Sequence, residues 1–177
     1  MVHVSTQRSV YLQISHMTDK DYNQCVSLYA DNVFRFILKN LRHKEDAEDV
    51  VQTAYEKLWL NRLQVEFHRS KSYLFTVAYH QMIDHIRKHK KVILKENFTS
   101  DARSTEKHHH DLKTILDEAL HKLGETQRSL VLLKDYEGYS YEEIAKITGL
   151  SASQVKVYLH RARLQLKTYL VSPENVI

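Results

Sequence analysis

The sequence predicts an all-α protein with two small helical domains joined by a flexible linker. Glycine occurs 3 times and proline once in 177 residues, and these residues punctuate sheets and tight turns. Apolar residues recur at three- and four-residue steps, which is typical of amphipathic helices, and strict alternation is scarce. The length fits two small domains or one of ordinary size.

The first periodic segment covers residues 19–41, after a non-periodic stretch, residues 1–18, that we interpret as an N-terminal arm. Its predicted apolar face consists of Tyr22, Val26, Tyr29, Val33, Phe36 and Ile37. Cys25, the single cysteine, also falls on an apolar helical face. We therefore expect a buried thiol rather than a redox centre, and an intramolecular disulfide is excluded.

A second helix is predicted over residues 46–62, with an apolar stripe and a separate acidic surface. The stripe is Ala47, Val50, Val51, Ala54 and Leu58. The polar positions directed elsewhere are Asp46, Asp49, Gln52 and Glu56. Carboxylates would repel DNA phosphates, so we interpret this surface as facing a basic protein. The alternative is solubility together with pairing to the helix dipole.

Residues 71–91 form the third predicted helix, after a loop at about 64–70 that contains Phe67. Its core positions are Leu74, Ala78, Met82 and Ile86, and another face carries His80, Asp84, Arg87 and Lys91. The aromatic residues are Tyr73, Phe75 and Tyr79, and the helix ends in a basic run, 87–91. Stacking aromatics beside cations suit single-stranded DNA, although aromatics at helical spacing are also common in cores.

Residues 92–110 are polar, lose the period and are interpreted as the linker; the second domain is expected over 111–171, with a tail at 172–177. Its first helix has the predicted stripe Leu112, Ile115, Leu116, Ala119, Leu120 and Leu123. We expect that helix to be closed by Gly124, and a second helix, 126–138, to end at Gly138, because glycine is favoured just beyond helix C-termini.

Residues 140–167 predict a helix-turn-helix. Ser140 with Glu143, and Ser151 with Gln154, fit two N-terminal capping boxes, and Gly149 marks the turn between them. The last helix has a buried stripe of Val155, Leu159, Ala162 and Leu166. A short helix, a tight turn and a longer helix are typical of DNA-binding modules.

The exposed face of that last helix is the predicted DNA-binding surface. Residues 144–173 contain no Asp or Glu. Lys156, Val157 and His160 are the candidates for base edges in the major groove. The candidates for backbone contacts are Ser153, Gln154, Tyr158, Arg161 and Arg163. The alternatives are a solvated basic face or a surface that packs on another protein.

Several other function classes find no support in the sequence. There is no Gly-rich phosphate loop, no HExxH and no nucleophile motif, so we predict no catalysis and no cofactor. The chain has 12 histidines, but His108, His109 and His110 are consecutive and cannot converge from one helical face, so no metal site is predicted. No signal peptide and no apolar run of about 20 residues is visible, so membrane insertion is not expected and the predicted location is the cytoplasm.

Two stretches resemble the sigma-70 family of RNA polymerase sigma factors. DAEDVVQTAYEKLW, residues 46–59, and the helix 71–91 resemble sigma region 2. Residues 116–167 resemble region 4, most specifically in EGYSYEEIAKITGLS and HRARLQLK. The chain lacks room for the extra regions of primary sigma factors, which indicates the ECF (extracytoplasmic function) subgroup. Domain boundaries of 19–91 for region 2 and 111–171 for region 4 follow.

The resemblance implies a promoter-specificity subunit that is not itself an enzyme. Region 2 would dock on the polymerase clamp through Asp46, Asp49, Gln52 and Glu56. The −10 element would be read and opened by Phe67, Tyr73, His80, Asp84, Arg87 and Lys88. Region 4 would read the −35 element as duplex and touch the polymerase flap. An anti-sigma factor is an expected partner, and the location would be the bacterial cytoplasm, at the nucleoid.

Three departures from the family pattern concern the −10 preference. His80 replaces a common Asn, Tyr73 replaces a frequent Trp, and the pair at residues 124–125 replaces a common Pro. The main alternative function is a helix-turn-helix regulator whose N-terminal half senses a ligand or dimerises; the region around 46–59 argues against it. A helical adaptor that binds only proteins is disfavoured by the acid-free last helix.

Overall fold

The computed structural model describes residues 17–96 and 112–171. The start of the predicted N-terminal arm, most of the predicted linker with His108–His110, and the predicted tail lie outside the described residues. The described residues form helices and connecting turns, with no strand among them. They make a first unit of α1–α3 and a second unit of α4–α7, and the predicted all-α fold is confirmed.

The first unit contains α1 (Asp19–Leu41), α2 (Lys44–Leu60), a 3₁₀ turn (Phe67–Arg69) and α3 (Ser70–Glu96). A capping box between Thr18 and Asp21 starts α1. Arg42 ends it in the left-handed region at φ 61°, and its N–H donates to the Leu38 carbonyl. These ends match the predicted first helix. The third helix continues past Lys91 to Glu96, into the segment predicted as linker.

The core of the first unit lies where α1, α2 and α3 pack against one another. The predicted core positions that are buried are Val33, Phe36, Ile37, Ala47, Val50, Ala54, Leu58, Leu74, Ala78 and Met82. Those packed at its edge are Tyr22, Val26, Tyr29, Val51 and Ile86. Cys25 is fully buried, and burial raises the pKa of its thiol, so the predicted buried thiol is confirmed.

The second unit contains four helices: α4 (Leu112–Lys122), α5 (Glu125–Val131), α6 (Tyr141–Thr148) and α7 (Ala152–Leu170). The end of α5 widens into a π-helical segment, Leu132–Tyr136. The predicted buried stripe of α7 is present, with Val155, Leu159 and Ala162 buried and Leu166 at the edge of the core.

Two predictions for α4 are wrong. Leu112 and Leu116 are 77% and 37% exposed, because the buried side of α4 is the one that packs on α7, and Leu116 lines an open groove beside α1 instead. Gly124 does not end α4 in the left-handed region. Its φ is −60°, and it serves as the N-cap residue of α5.

The two units pack directly on each other. In particular, α6 lies against α3, and α5 lies against α1. The ring of Phe75 in α3 contacts Phe36 of its own unit and Tyr139 of the second unit, each with centroids 5.4 Å apart. One cluster of buried apolar residues therefore runs through both units.

Candidate nucleic-acid interface

The orientation of α7 is fixed by caps that the local sequence encodes. The Ser140 hydroxyl accepts from the Glu143 N–H, and the Glu143 carboxylate accepts from the Ser140 N–H at 2.8 Å. This hydrogen bond lowers the pKa of the Glu143 carboxyl. Ser151 and Gln154 make the same reciprocal pair at the start of α7. Gly149 between the helices adopts φ 75°, which glycine tolerates best.

The face of α7 opposite its buried stripe is open to solvent. The predicted DNA-contact residues that are exposed are Ser153, Gln154, Lys156, Val157, His160, Arg161 and Arg163. Tyr158 is half-buried and packs against the core. The structure therefore brings all eight candidates onto one helix, with Tyr158 at the edge of the open face. No carboxylate of α7 itself offsets the positive charge, which is the property that a phosphate backbone requires.

Neighbouring helices add residues to this face that α7's own sequence could not reveal. Arg163 Nη2 donates to Asp135 Oδ1 at 2.7 Å, which orients the guanidinium and partly neutralises it. Lys156 Nζ lies 5.5 Å from the centre of the Tyr141 ring, and Lys134 Nζ lies 5.0 Å from the same ring. A second basic side chain, from the end of α5, thus stands beside the predicted base-reading lysine.

The predicted −10 residues fall into two groups on and before α3. His80, Asp84, Arg87 and Lys88 are exposed along one side of the helix, and Arg87 Nη1 donates to Asp84 Oδ1 at 3.3 Å. Phe67 and Tyr73 are half-buried near its N-terminal end and pack against the core.

Two further aromatic residues of α3 are not available for base stacking here. Phe75 is fully buried and Tyr79 is 6% exposed, so both are core residues. The interpretation of helically spaced aromatics as core therefore holds for this pair. Burial also raises the pKa of the Tyr79 phenol.

The acidic surface of α2 is exposed, apart from its first residue. Asp49, Gln52 and Glu56 face solvent, and the Gln52 amide donates to Glu56 at 3.0 Å. The Asp46 carboxylate is half-buried, 3.2 Å from His43 Nδ1 and 3.2 Å from His85 Nε2.

Exposed apolar residues at the end of α2 extend this surface and were missed by the sequence analysis. Trp59 is 36% exposed and Leu60 is 75% exposed. The Arg62 guanidinium lies 3.9 Å from the centre of the Trp59 ring. Grouped apolar residues rimmed by polar ones are typical of protein-binding surfaces. The signal was present in the sequence, because Leu60 falls outside the buried stripe of its helix.

Other types of site are not supported within the described residues. Residues 17–91 and 112–171 hold no cluster of three or more histidine, cysteine or carboxylate side chains arranged for a metal ion. None of the helices in this part of the chain is both long enough and apolar enough to cross a bilayer.

Comparison with known proteins agrees with this geometry. The family model of Sigma-70 region 2 matches residues 25–92, and that of Sigma-70, region 4 matches residues 113–166. RNA polymerase sigma factor YlaC of Bacillus subtilis is 30% identical over 148 residues, which cover 78% of this chain and 86% of that protein. ECF RNA polymerase sigma factor SigM of the same organism is 27% identical over 150 residues, covering 82% and 92%. The chain belongs to the ECF sigma factors.

Two solved structures have a fold similar to that of this sigma factor. The sigma factor RpoE from Bartonella quintana, in complex with the anti-sigma factor NepR, aligns with a TM-score of 0.72 and 25% identity over 87% of this chain and 99% of that one. CnrH, in complex with the cytosolic domain of CnrY, shares the fold with a TM-score of 0.64 and 21% identity, covering 88% and 91%. A regulator with an N-terminal sensing domain is not favoured, because region 2 occupies that half of the chain.

Proposed function

We propose that this sigma factor reads its promoter with two helices, α7 on the −35 element as duplex and α3 on the −10 element as opened strands. The observation that carries the proposal is the open face of α7, which is basic, carries no carboxylate of that helix and is held by a capped helix-turn-helix. Lys156, Val157 and His160 are assigned to base edges. The assigned backbone contacts are Ser153, Gln154, Tyr158, Arg161 and Arg163.

In the first unit, the exposed side of α3 is assigned to the −10 element. His80, Asp84, Arg87 and Lys88 are placed where a strand could lie along the helix. Phe67 and Tyr73 are assigned to the same element, and they would have to turn outward from their half-buried positions to stack on a base.

The acidic surface of α2 is assigned to the polymerase clamp. Asp46, Asp49, Gln52 and Glu56 would meet basic residues there, and the exposed Trp59 would supply the apolar contact. The second unit would also touch the flap. We propose domain limits of 19–91 and 111–171, with an arm before the first, a linker between them and a tail after the second.

Three further assignments complete the proposal. The chain acts as a specificity subunit and catalyses nothing itself, because the chemistry belongs to polymerase. It works in the cytoplasm at the nucleoid, where polymerase and DNA are found. An anti-sigma factor is the expected regulatory partner, because the similar sigma factor RpoE was solved in complex with the anti-sigma factor NepR.

The −35 assignment is tested with two alanine variants and one control. We expect Lys156→Ala to lose about 1–3 kcal/mol of binding and to relax preference at one position of the site. Arg161→Ala should weaken binding uniformly across sequences and lower the salt dependence by about one phosphate contact. Lys113→Ala in α4 is the matched control. The promoter duplexes are chosen by mapping the start sites that the chain directs with core polymerase. Binding of each variant to these duplexes is measured by fluorescence anisotropy. Unchanged affinity for the duplexes in both variants would contradict the assignment of α7.

The polymerase assignment is tested by charge reversal. Asp49→Lys should weaken binding to core polymerase by about tenfold or more, because a carboxylate facing a basic surface becomes a cation there. Glu142→Lys in α6 is the control with the same change of charge. Binding to core polymerase is measured by competition with a labelled sigma factor. The affinity of Asp49→Lys for the promoter duplex should stay within about twofold of the wild-type value. Wild-type competition by Asp49→Lys would contradict the docking surface.

A further inference from the structure

An open groove lies between α1 and α4 and is closed on its third side by the end of α5 and the π-helical segment. Its volume is about 820 Å³, which is within the usual range for small-molecule sites. The apolar lining includes Leu120 and Leu132, which are 2% and 1% exposed, and Leu116, which is 37% exposed. None of the residues assigned to DNA or polymerase lines this α1–α4 groove. The groove is therefore a candidate for a separate ligand.

One end of the groove lies where the C-terminal ends of α1 and α4 meet. Arg42 is the C-cap residue of α1, His121 lies in the last turn of α4, and both line the groove. The Arg128 guanidinium joins the two helix ends, because it donates to four main-chain carbonyls, those of Asn40, Leu120, His121 and Leu123. Carbonyls at a helix C-terminus carry partial negative charge. Here a cation is bonded to them, so they oppose an incoming anion less.

This end of the groove carries more positive than negative charge. The carboxylates whose charges act on it, Asp117 and Glu125, are each paired with a lysine. Within the described part of the chain, Arg42 and the half-buried Arg128 have no carboxylate partner of their own. Burial, together with these two guanidinium groups, lowers the pKa of His121 to about 4. A half-buried cation without a counter-ion is costly, and a small anion beside it would reduce that cost.

The rest of the lining favours an anion with an aliphatic body. Four of its polar side chains are already paired: Asn32 Nδ2 donates to Glu137 at 3.1 Å, and Lys39 contacts Asp117 at 2.5 Å. A sugar or a nucleotide base would need hydrogen-bond partners that these side chains no longer offer. An alkyl chain needs none, and it would gain free energy by covering the exposed part of Leu116.

We propose that the α1–α4 groove is a binding site for a linear aliphatic carboxylate. The carboxylate lies beside Arg42 and His121, and the alkyl chain lies on Leu116, Leu120 and Phe36. Charge complementarity at one end and apolar contact along the rest define the ligand together. The inference does not rest on the proposed promoter-reading roles of α3 and α7, because the groove shares no residue with them.

The first test uses decanoate, below the concentration at which it forms micelles, with the full chain. Its dissociation constant is measured by isothermal titration calorimetry, and melting is followed by circular dichroism. At ten times that constant, decanoate should raise the melting temperature by about 3–6 °C, because it binds only the folded chain. Acetate has the head group alone, and decyltrimethylammonium has the same chain with the opposite charge; both should leave melting within about 1 °C. If decanoate fails to raise the melting temperature, or if the cation raises it equally, the inference is overturned.

Two variants with matched controls locate the site. Arg42→Asn removes the charge but tolerates the left-handed backbone at φ 61°, and it should weaken decanoate binding by about tenfold. Lys146→Gln removes an exposed charge of α6 and should change the affinity less than about twofold. Leu116→Ser should weaken binding by about threefold or more, whereas Leu164→Ser, at an exposed position of α7, should not. Equal affinities of each variant and its control contradict the site. If Arg42→Asn fails to fold, the pair at Leu116 and Leu164 decides.

A third measurement reports where the head group lies. A bound carboxylate favours the charged imidazolium, so it should raise the pKa of His121 from about 4 towards its ordinary value of about 6.5. The pKa is followed by the NMR signal of the imidazole ring, which is assigned by its loss in His121→Gln. Acetate at the same concentration should leave the titration of His121 unchanged. If decanoate binds but the titration of His121 does not move, the ligand lies elsewhere and the inference is overturned.

Discussion

The helices α3 and α7 carry the two proposed DNA-reading surfaces, but they are built into the molecule differently. Helix α7 packs on α4, α5 and α6, which all belong to its own unit. Helix α3 packs on α1 and α2 of its own unit and also on α6 of the other. As a result, α7 leaves a whole face open, whereas α3 has Phe75 and Tyr79 buried. Near the two ends of α3, Lys71 and Lys90 pair with Glu137 and Glu125 of the other unit.

This difference explains why the aromatic content of α3 suggested base stacking. An amphipathic pattern records every surface that a helix buries, including one on a separate domain. Phe75 contacts Phe36 of its own unit on one side and Tyr139 of the second unit on the other. A helix with more apolar residues than its own domain needs is therefore a candidate for a contact between domains.

The largest effect that would sharpen the comparison comes from truncating one buried side chain in each helix. Phe75→Ala and Leu159→Ala should each lose about 2–5 kcal/mol of stability. Because Phe75 serves both units, its loss should speed amide hydrogen exchange in α6 as well as in α3. Leu159→Ala should speed exchange in the second unit and leave α2 protected. Unchanged exchange in α6 of Phe75→Ala would break the comparison.

A smaller effect tests whether α7 is positioned by its own caps. Ser151→Ala removes the acceptor for the Gln154 N–H and should cost about 1 kcal/mol. Thermal melting should fall by about 2–4 °C for a chain of this size. Ser151→Asn keeps an acceptor at this position and should melt close to wild type. Equal melting of the alanine variant and the wild type would mean that tertiary packing alone sets the helix start.

The smallest effect concerns His121, which lies beside the interface. Burial, together with the nearby Arg128 guanidinium, lowers its pKa to about 4. The unfolded chain takes up this proton near its ordinary pKa of about 6.5, so the folded state loses stability as pH falls from about 6.5 towards 4. The melting temperature of His121→Gln should therefore fall less than that of the wild type when the pH is lowered from about 7 to about 5. His160→Gln, at an exposed position, is the control and should follow the wild type.

Local rules were enough for much of the fold and for the face of α7. The capping pairs at Ser140 and Ser151, the turn at Gly149 and the stripe ending at Ala162 involve residues a few positions apart, and all are present. The start and end of α1 follow from the same kind of signal.

Long-range packing set what the sequence could not predict. Leu116 sits on a helical stripe but faces a groove, because its burial depended on where α1 lies. The pair Lys39–Asp117 joins residues 78 positions apart, and no local pattern reports it. The same is true of Asp135 beside Arg163. The individual roles of the DNA- and polymerase-facing residues remain proposals, because they depend on surfaces of other molecules.

The buried position of Cys25 limits the reaction of its thiol with oxidants. Thiolates, not thiols, react with peroxide and electrophiles, and they need access to them. A fully enclosed sulfur with a raised pKa meets neither requirement, and it is the only one of its kind in the chain. Direct oxidation of Cys25 would therefore require the packed helices of the first unit to open around the sulfur.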